Sequence, residues 1–175
     1  DRIGLCIAMN EKNPDDAMPF LSDAIFDIMS KLVNVVMSYV LVFRARKDWD
    51  SCLNITEFGI RFLSGIRTDT ETDFLDKTKA EMLVLLAYAQ QNKGMESEAV
   101  ASLKKAGAIA AKFDAKPDYG VKTVRFAEIA ADTMVMDIFG ATATESIKNI
   151  IKMLDEPQLK TMWEEINENE YRDKQ

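Results

Sequence analysis

A three-point pattern of apolar and small residues recurs along the chain at helical spacing. Each instance has a small residue, a larger one four residues later and another small one three residues after that. The instances are Ala17–Leu21–Ala24, Cys52–Thr56–Gly59 and Ala99–Leu103–Ala106. This spacing places all three residues on one face of an α-helix, where small side chains let a neighbouring helix approach closely. The pattern therefore predicts helices that pack face to face.

Polar segments precede the three instances and predict turns, at residues 13–16, 47–50 and 93–96. The predicted unit is a helix, a tight turn and a second helix, and the unit repeats along the chain. Arrays of helical hairpins form curved binding surfaces far more often than they form active sites. The polar residues 67–73 are predicted to be a loop that lengthens the interval between the second and third instances.

The hydrophobic periodicity predicts nine helices and an all-α fold. Pro14 and Pro157 suit the first turns of their helices, and Gly94 suits a left-handed turn between two helices. Residues 121–126 are predicted to be extended. The predicted helices cover 2–11, 14–29, 31–46, 49–66, 75–92, 95–112, 127–139, 142–154 and 157–170. We expect a single domain over 1–175, with antiparallel hairpins at about 2–29, 31–66, 75–112 and 127–154 and a C-terminal capping helix at 157–170.

Apolar residues at helical spacing predict which side of each helix is buried. The third predicted helix has so wide an apolar face that we expect it to be covered by neighbours on both sides. The residues expected to point inward are Leu32, Val35, Val36, Tyr39, Val40 and Phe43, then Cys52, Leu53, Phe58, Phe62 and Leu63, and in the capping helix Leu159, Met162, Trp163 and Ile166.

Composition and charge argue against several functional classes. The net charge of −7 and the lack of any Lys/Arg run argue against an extended nucleic-acid surface. The longest uncharged run, 32–43, is too short to span a membrane. The chain has no histidine, and Cys6 and Cys52 lie among apolar helical positions that suit small buried residues. We therefore expect a cytoplasmic protein with no metal, no cofactor and no enzymatic activity.

Two stretches carry a resemblance to known families. The first, Leu86–Ala87–Tyr88 with 93–100 and 103–106, resembles a tetratricopeptide repeat, and the 35-residue interval from Ala17 to Cys52 is close to that repeat's length of about 34. The second comprises 111–120, 124–126 and 137–143, together with 13–21. It resembles the C-terminal helical domain of bacterial helix-turn-helix regulators of the Cro-repressor or the mercury-regulator type.

This resemblance implies a function in binding. No helix-turn-helix is present in the sequence, so the resemblance implies that a DNA-binding half lies upstream of it. The first helices of successive tetratricopeptide hairpins line a concave groove, where a peptide, protein or small-molecule effector would bind. Arg and Asn there would hold a peptide backbone or carboxylate, and Tyr and Met would make apolar contacts. The groove residues expected from the repeat match are Asn34, Met37, Leu41, Arg44, Glu81, Tyr88 and Gln91.

The resulting expectation is an effector-binding or self-associating domain of a cytoplasmic transcription regulator. The alternative is a free-standing adaptor that holds partner proteins and has no DNA-binding half. We expect residues 1–175 alone not to bind duplex DNA. We also expect a homodimer, since such regulators read paired half-sites, with its interface in 127–170, where apolar residues exceed what a lone hairpin requires.

Overall fold

The computed structural model describes residues 31–65, 73–115 and 142–172, and these three ranges form six helices with no strand among them. We number the helices in chain order. They are α1 (31–45), α2 (Trp49–Gly65), α3 (Asp73–Asn92), α4 (Glu96–Asp114), α5 (Ala143–Leu154) and α6 (Pro157–Arg172). No helix in the described part of the chain is long and apolar enough to cross a membrane.

Local hydrogen bonds set the tight turn between α1 and α2. Lys47 adopts a left-handed conformation with φ of 55°, and the Asp48 amide donates to the Phe43 carbonyl at 2.9 Å. The Asp48 carboxylate then caps α2 by accepting from the Ser51 amide at 3.1 Å and from its hydroxyl at 2.7 Å. These two bonds lower the pKa of Asp48, since they favour its charged form. The turn thus closes one helix and starts the next within three residues.

Three other helix ends are also set by residues that favour a helix start or a helix stop. Gly94 takes φ of 77° between α3 and α4, as predicted, because a residue without Cβ adopts that conformation at no steric cost. The Thr142 side chain accepts from the Glu145 amide at 2.9 Å and so caps α5. Pro157 is the first residue of α6, where its missing amide hydrogen is not needed.

Helix α3 lies at the centre of the described structure. It packs against α2, α4, α5 and α6, and every residue from 80 to 90 is buried. The polar residues in this stretch are therefore buried together with the apolar ones, and a buried polar group needs a hydrogen-bond partner. Glu81 and Gln90 are in this position, and Gln90 Oε1 accepts a hydrogen bond from the Ser102 hydroxyl of α4 at 2.7 Å.

The small residues of the recurring pattern lie at the helix contacts. Ala99, Leu103 and Ala106 on α4 are fully buried, and the most extensive contact of α4 with another described helix is the one with α3. Gly59 on α2 is also buried. A Cβ added to it would overlap the Met82 Cε of α3 and lie 3.7 Å from Val36 Cγ2 of α1. The pattern therefore marks a buried helix face in both instances that the structure describes, with a close helix approach at Gly59.

A hydrogen-bonded bridge attaches α5 to α4. The Asp114 carboxylate accepts from the amides of Ala143 at 2.8 Å and Thr144 at 3.1 Å. It also accepts from the Thr144 hydroxyl at 2.6 Å. Asp114, at the end of α4, thus accepts hydrogen bonds from amides that have no partner inside α5. A negative charge is favourable at a helix N-terminus.

Most of the helix predictions are confirmed where the structure describes the chain. The predicted helices 31–46, 49–66, 75–92, 95–112, 142–154 and 157–170 correspond to α1 to α6 within about two residues. The inward residues of the capping helix are buried as expected. The predicted helices 2–11, 14–29 and 127–139, the extended segment 121–126 and the instance Ala17–Leu21–Ala24 lie outside the described residues.

Four residues expected to point inward are exposed instead. The exposed fractions are 50% for Val35, 49% for Tyr39, 51% for Phe58 and 42% for Phe62. On α2 the buried stripe is Cys52, Thr56, Gly59 and Leu63, and Phe58 and Phe62 each lie one position, or about 100°, round the helix from a residue of that stripe. On α1 the buried face is Val33, Val36, Met37 and Val40, and Val35 and Tyr39 lie beyond its edge. The prediction of an inward position was wrong for these four.

Candidate functional site

The predicted groove residues lie in three different environments. Met37, Glu81 and Tyr88 are buried, Asn34, Arg44 and Gln91 are partly exposed, and Leu41 is exposed. Arg44, Tyr88 and Gln91 come together where α1 and α3 meet the α5–α6 turn. The structure does not bring Asn34, Met37 or Leu41 into that cluster by any hydrogen bond that it shows for the described residues.

Two of the clustered side chains form hydrogen bonds to the adjoining ends of α5 and α6. The Arg44 guanidinium donates to the Leu154 carbonyl at the end of α5, and Gln91 Nε2 donates to Gln158 Oε1 of α6 at 2.9 Å. A cation near the C-terminal carbonyls of a helix is favoured by the helix dipole. Arg44 therefore holds α5 in place and is not directed into open solvent.

Tyr88 sits beneath this contact with its hydroxyl unpaired. The residue is fully buried, and its ring packs edge-on against Trp49 with centroids 6.1 Å apart. Its hydroxyl oxygen, like Gln91 Oε1, has no hydrogen-bond partner among the residues that the structure describes. Burial raises the pKa of Tyr88, and the nearby Arg44 charge opposes that effect. Tyr88 is thus a neutral core residue that carries an uncompensated polar atom.

Glu81 forms a second buried polar contact, near the start of α5. Its Oε1 accepts from the Ser146 hydroxyl at 2.6 Å and lies 3.7 Å from Lys77 Nζ. All three side chains are buried. Burial raises the pKa of Glu81, although the Lys77 charge and the Ser146 bond act in the opposite direction. This contact links α3 to α5, and the Glu81 side chain is shielded from solvent.

Chemically reactive groups are scarce in the described residues. No three His, Cys, Asp or Glu side chains there are grouped closely enough to hold a metal ion. Burial raises the pKa of the Cys52 thiol to about 11, and the residue is fully buried. A thiol with so high a pKa is protonated at neutral pH and is a poor nucleophile.

An open cleft runs between α5 and α6. Its volume is about 960 Å³. Ile151, Pro157 and Trp163 supply its apolar wall, and three lysines and three carboxylates also line it. Lys160 and Glu164 form an ion pair of 3.8 Å there. Because both signs of charge are present, the cleft selects no class of charged ligand.

The exposed apolar side chains provide a clearer candidate for binding. Seven large hydrophobic residues are exposed in the described ranges, and six of them belong to the α1–α2 hairpin. The seven are Val35, Tyr39, Leu41, Val42, Phe58, Phe62 and Met153. Tyr39 stacks on Phe43 at 5.9 Å, and Phe58 stacks on Phe62 at 6.3 Å. Clustered exposed apolar groups mark interaction surfaces, whereas isolated ones are ordinary.

Sequence reasoning assigned Val35, Tyr39, Phe58 and Phe62 to the core and so missed this surface. A signal was present in the width of the apolar face of α1. On a helix, Val35, Tyr39 and Val42 follow a spacing of four and three that is separate from the spacing of the buried Val33, Val36 and Val40. Two adjacent apolar stripes on one helix imply two different contacts.

Comparison with known proteins identified no relative of this chain. No family model matches the chain, and neither a curated protein nor a solved structure does.

Proposed function

We propose that this chain is a tetratricopeptide-like array of helical hairpins that holds a protein or peptide partner. Two tight helical hairpins, α1–α2 and α3–α4, pack on each other through α2 and α3. Small residues are buried on α2 and on α4, among them Cys52 and Ala99. The turn residues Lys47 and Gly94 have left-handed φ angles that close each hairpin. Such arrays act by presenting an extended surface.

One observation carries the proposal of partner binding. Six of the seven large hydrophobic side chains exposed in the described ranges lie on a single hairpin. An apolar surface in water is unfavourable by about 25 cal/mol per Å². A partner that covers Tyr39, Phe58 and their neighbours would recover that free energy, and aromatic residues are frequent anchors of protein interfaces.

The biological setting that we propose is a cytoplasmic transcription regulator. The basis is the resemblance of 111–120 and its neighbouring stretches to the helical domain of bacterial regulators. Binding by this domain would then shift the placement of DNA-binding units elsewhere in the protein. In this proposal Arg44, Tyr88 and Gln91 hold the α5–α6 end of the array, so a change in that end would be transmitted to α1 and α3.

The alternative is a free-standing adaptor with the same binding surface. The gene distinguishes the two proposals. A helix-turn-helix encoded upstream of Asp1 supports the regulator, and a start codon next to Asp1 supports the adaptor. Self-association is a further proposal. In the described part of 127–170 the exposed large hydrophobic is Met153, and light scattering at micromolar concentration would show whether the mass exceeds one chain of 19.7 kDa.

A site-specific cross-linking experiment tests partner binding itself. Tyr39 is replaced by a photoreactive phenylalanine derivative in the cells that naturally make the protein, and products are identified by mass spectrometry. We expect a discrete product with another protein. The matched control places the same group at Lys104, an exposed residue of α4. If neither position gives a product, or both give the same mixture, the chain is not a partner-binding module of this kind.

A further inference from the structure

The hairpin of α5 and α6 is attached to the preceding helices by polar contacts along α5. The Asp114 carboxylate accepts from amides at the start of α5, and Glu81 accepts from the Ser146 hydroxyl one turn further along. Arg44 donates to the Leu154 carbonyl at the other end. In each contact the earlier helices supply an ionisable side chain. Water can replace all three contacts when the hairpin moves away, so their net contribution to its docking is modest.

The helices α1 to α4 pack on one another mainly through small and apolar residues. Gly59 of α2 lies against the Met82 methyl group of α3, and Ala99 of α4 is fully buried. Helix α5 also buries apolar side chains, among them Ile147 and Ile150, so the docked hairpin is the predominant state. Of the described helices, however, α5 relies most on polar contacts for its attachment. We therefore expect local opening of this fold to begin with the hairpin.

Two shielded acceptor atoms lie beneath the Arg44 contact and lack a hydrogen-bond partner in the described ranges. They are Tyr88 Oη and Gln91 Oε1, three positions apart on α3 and therefore on one helix face. Burial raises the pKa of Tyr88, and the Arg44 charge lowers it, which shows that the guanidinium lies close to the phenol. Native proteins leave few buried polar atoms unpaired, and each such atom calls for an explanation.

Arg44 has donors for both sides of this junction. Its guanidinium carries five N–H groups in one plane, and the Leu154 carbonyl takes one of them here. A phenol oxygen and an amide oxygen both accept hydrogen bonds, so Tyr88 and Gln91 offer the same charged donor a second set of partners. With the hairpin docked, those two acceptors are left unpaired. With the hairpin away, Arg44 is free to pair with them, and the Leu154 carbonyl is exposed to water.

We propose that Arg44 is a latch with two positions, which we call docked and released. In the docked position, the one in this structure, it holds the Leu154 carbonyl and with it the α5–α6 hairpin. In the released position the hairpin has moved away from α1 and α3, and the guanidinium donates to Tyr88 Oη and Gln91 Oε1. The hydrogen bonds formed in the released position offset part of the cost of opening, which keeps that state accessible. Use of this movement in signalling rests on the proposed function, whereas the latch itself does not depend on it.

Native-state hydrogen exchange on the full chain tests the latch, with amide protection followed by NMR at low urea concentrations. We expect the amides of α5 and α6 to open together and to be less protected than those at 80–90 of α3 by about tenfold or more. Tyr88→Phe removes a hydrogen bond to a charged donor from the released state and nothing from the docked one. It should therefore raise the protection of α5 and α6 by about tenfold.

Matched variants show whether Arg44 is the donor. In an Arg44→Met background Tyr88→Phe should change the protection of α5 and α6 by less than about twofold, because no guanidinium is left to bind the hydroxyl. If Arg44→Met does not fold, Arg44→Gln serves the same comparison with a shorter, uncharged side chain. Tyr39→Phe makes the same change at an exposed tyrosine of α1 and should have no effect in either background. Thermal unfolding shows that each variant is folded.

Three results would overturn the inference. An equal rise in protection in both backgrounds would mean that water, and not Arg44, binds the hydroxyl in the released state. No change after Tyr88→Phe, or a fall, would mean that the released state gains no bond from the hydroxyl. Equal protection of α5, α6 and α3 would mean that the hairpin does not open before the whole fold. None of these results affects cross-linking at Tyr39, so a failure of the latch and a failure of partner binding are distinguishable.

Discussion

Replacing Gly59 with alanine tests how closely α2 approaches α3. Gly59 lies in the middle of α2, and the Met82 side chain of α3 occupies the space where a Cβ would be. The Met82 sulfur lies 3.5 Å from that position and its methyl group overlaps it. Alanine at this site must therefore displace Met82 or separate the two helices.

Two opposing terms set the size of the effect. Alanine is preferred over glycine in a helix interior by about 1 kcal/mol. Overpacking a core by one carbon costs about 1–3 kcal/mol, and the displaced atom is the end of a flexible side chain, which favours the lower part of that range. We expect Gly59→Ala to lower the free energy of unfolding by at most about 1 kcal/mol.

Gly107→Ala is the matched control. Gly107 lies within α4, and a Cβ there would be 3.6 Å from the Trp163 ring of α6, an ordinary contact distance. The helix-propensity gain is not opposed by a clash, so this variant should be stabilised by about 0.5–1 kcal/mol. The same chemical change is thus expected to stabilise the protein at Gly107 and not to stabilise it at Gly59.

Urea unfolding followed by circular dichroism measures both variants. A double-mutant cycle adds Met82→Ala, which alone removes buried atoms and should cost about 2–5 kcal/mol. In the Gly59→Ala background that cost should be smaller by about 1–2 kcal/mol, because the new methyl group takes space that Met82 leaves. Additive effects, or stabilisation by Gly59→Ala equal to that by Gly107→Ala, would refute the close approach of α2 to α3.

Three further predictions concern buried groups. Tyr88→Phe removes an unpaired hydroxyl and should leave the free energy of unfolding unchanged or raise it by about 1–3 kcal/mol; a loss in urea unfolding would show that the hydroxyl has a partner. Burial raises the pKa of Glu81, so the folded state holds this proton more tightly than the unfolded chain does. The melting temperature should therefore fall as pH rises from the ordinary glutamate pKa of 4.5 through the raised pKa, and Glu81→Gln should flatten that part of the profile. Cys52, buried and with a pKa of about 11, should resist iodoacetamide at neutral pH until urea is added, as read from the mass of its peptide; modification in the native protein would contradict the burial.

The local parts of the fold could be predicted from the sequence because their causes are local. Gly94 ends a helix through its own backbone freedom, and Pro157 starts one for a similar reason. The spacing of Ala99, Leu103 and Ala106 encodes one helix face without reference to any neighbour. These features are confirmed in the structure.

The candidate site depends on contacts between residues far apart in the sequence, which the spacing of residues along one helix does not predict. Periodicity shows that α1 has a wide apolar face, but it does not show which half of that face a neighbour covers, so Tyr39 was misplaced. Arg44 and Leu154 are 110 residues apart and Glu81 and Ser146 are 65 apart. An Arg or a Glu in a helix is usually solvated, and only the packing of α5 against the earlier helices gives Arg44 a partly buried contact and Glu81 a buried one.

The Asp114 bridge also bears on how this protein tolerates change in chain length. Asp114 and Ala143 are joined by a hydrogen bond of 2.8 Å although 29 positions separate them. The bridge fixes the start of α5 to the end of α4 directly, so this attachment does not depend on the number of residues that connect the two helices. Doubling the length of a flexible closed connection costs only about 0.6 kcal/mol of entropy, so α5 should keep its position on α4 when a flexible tag lengthens the chain between them.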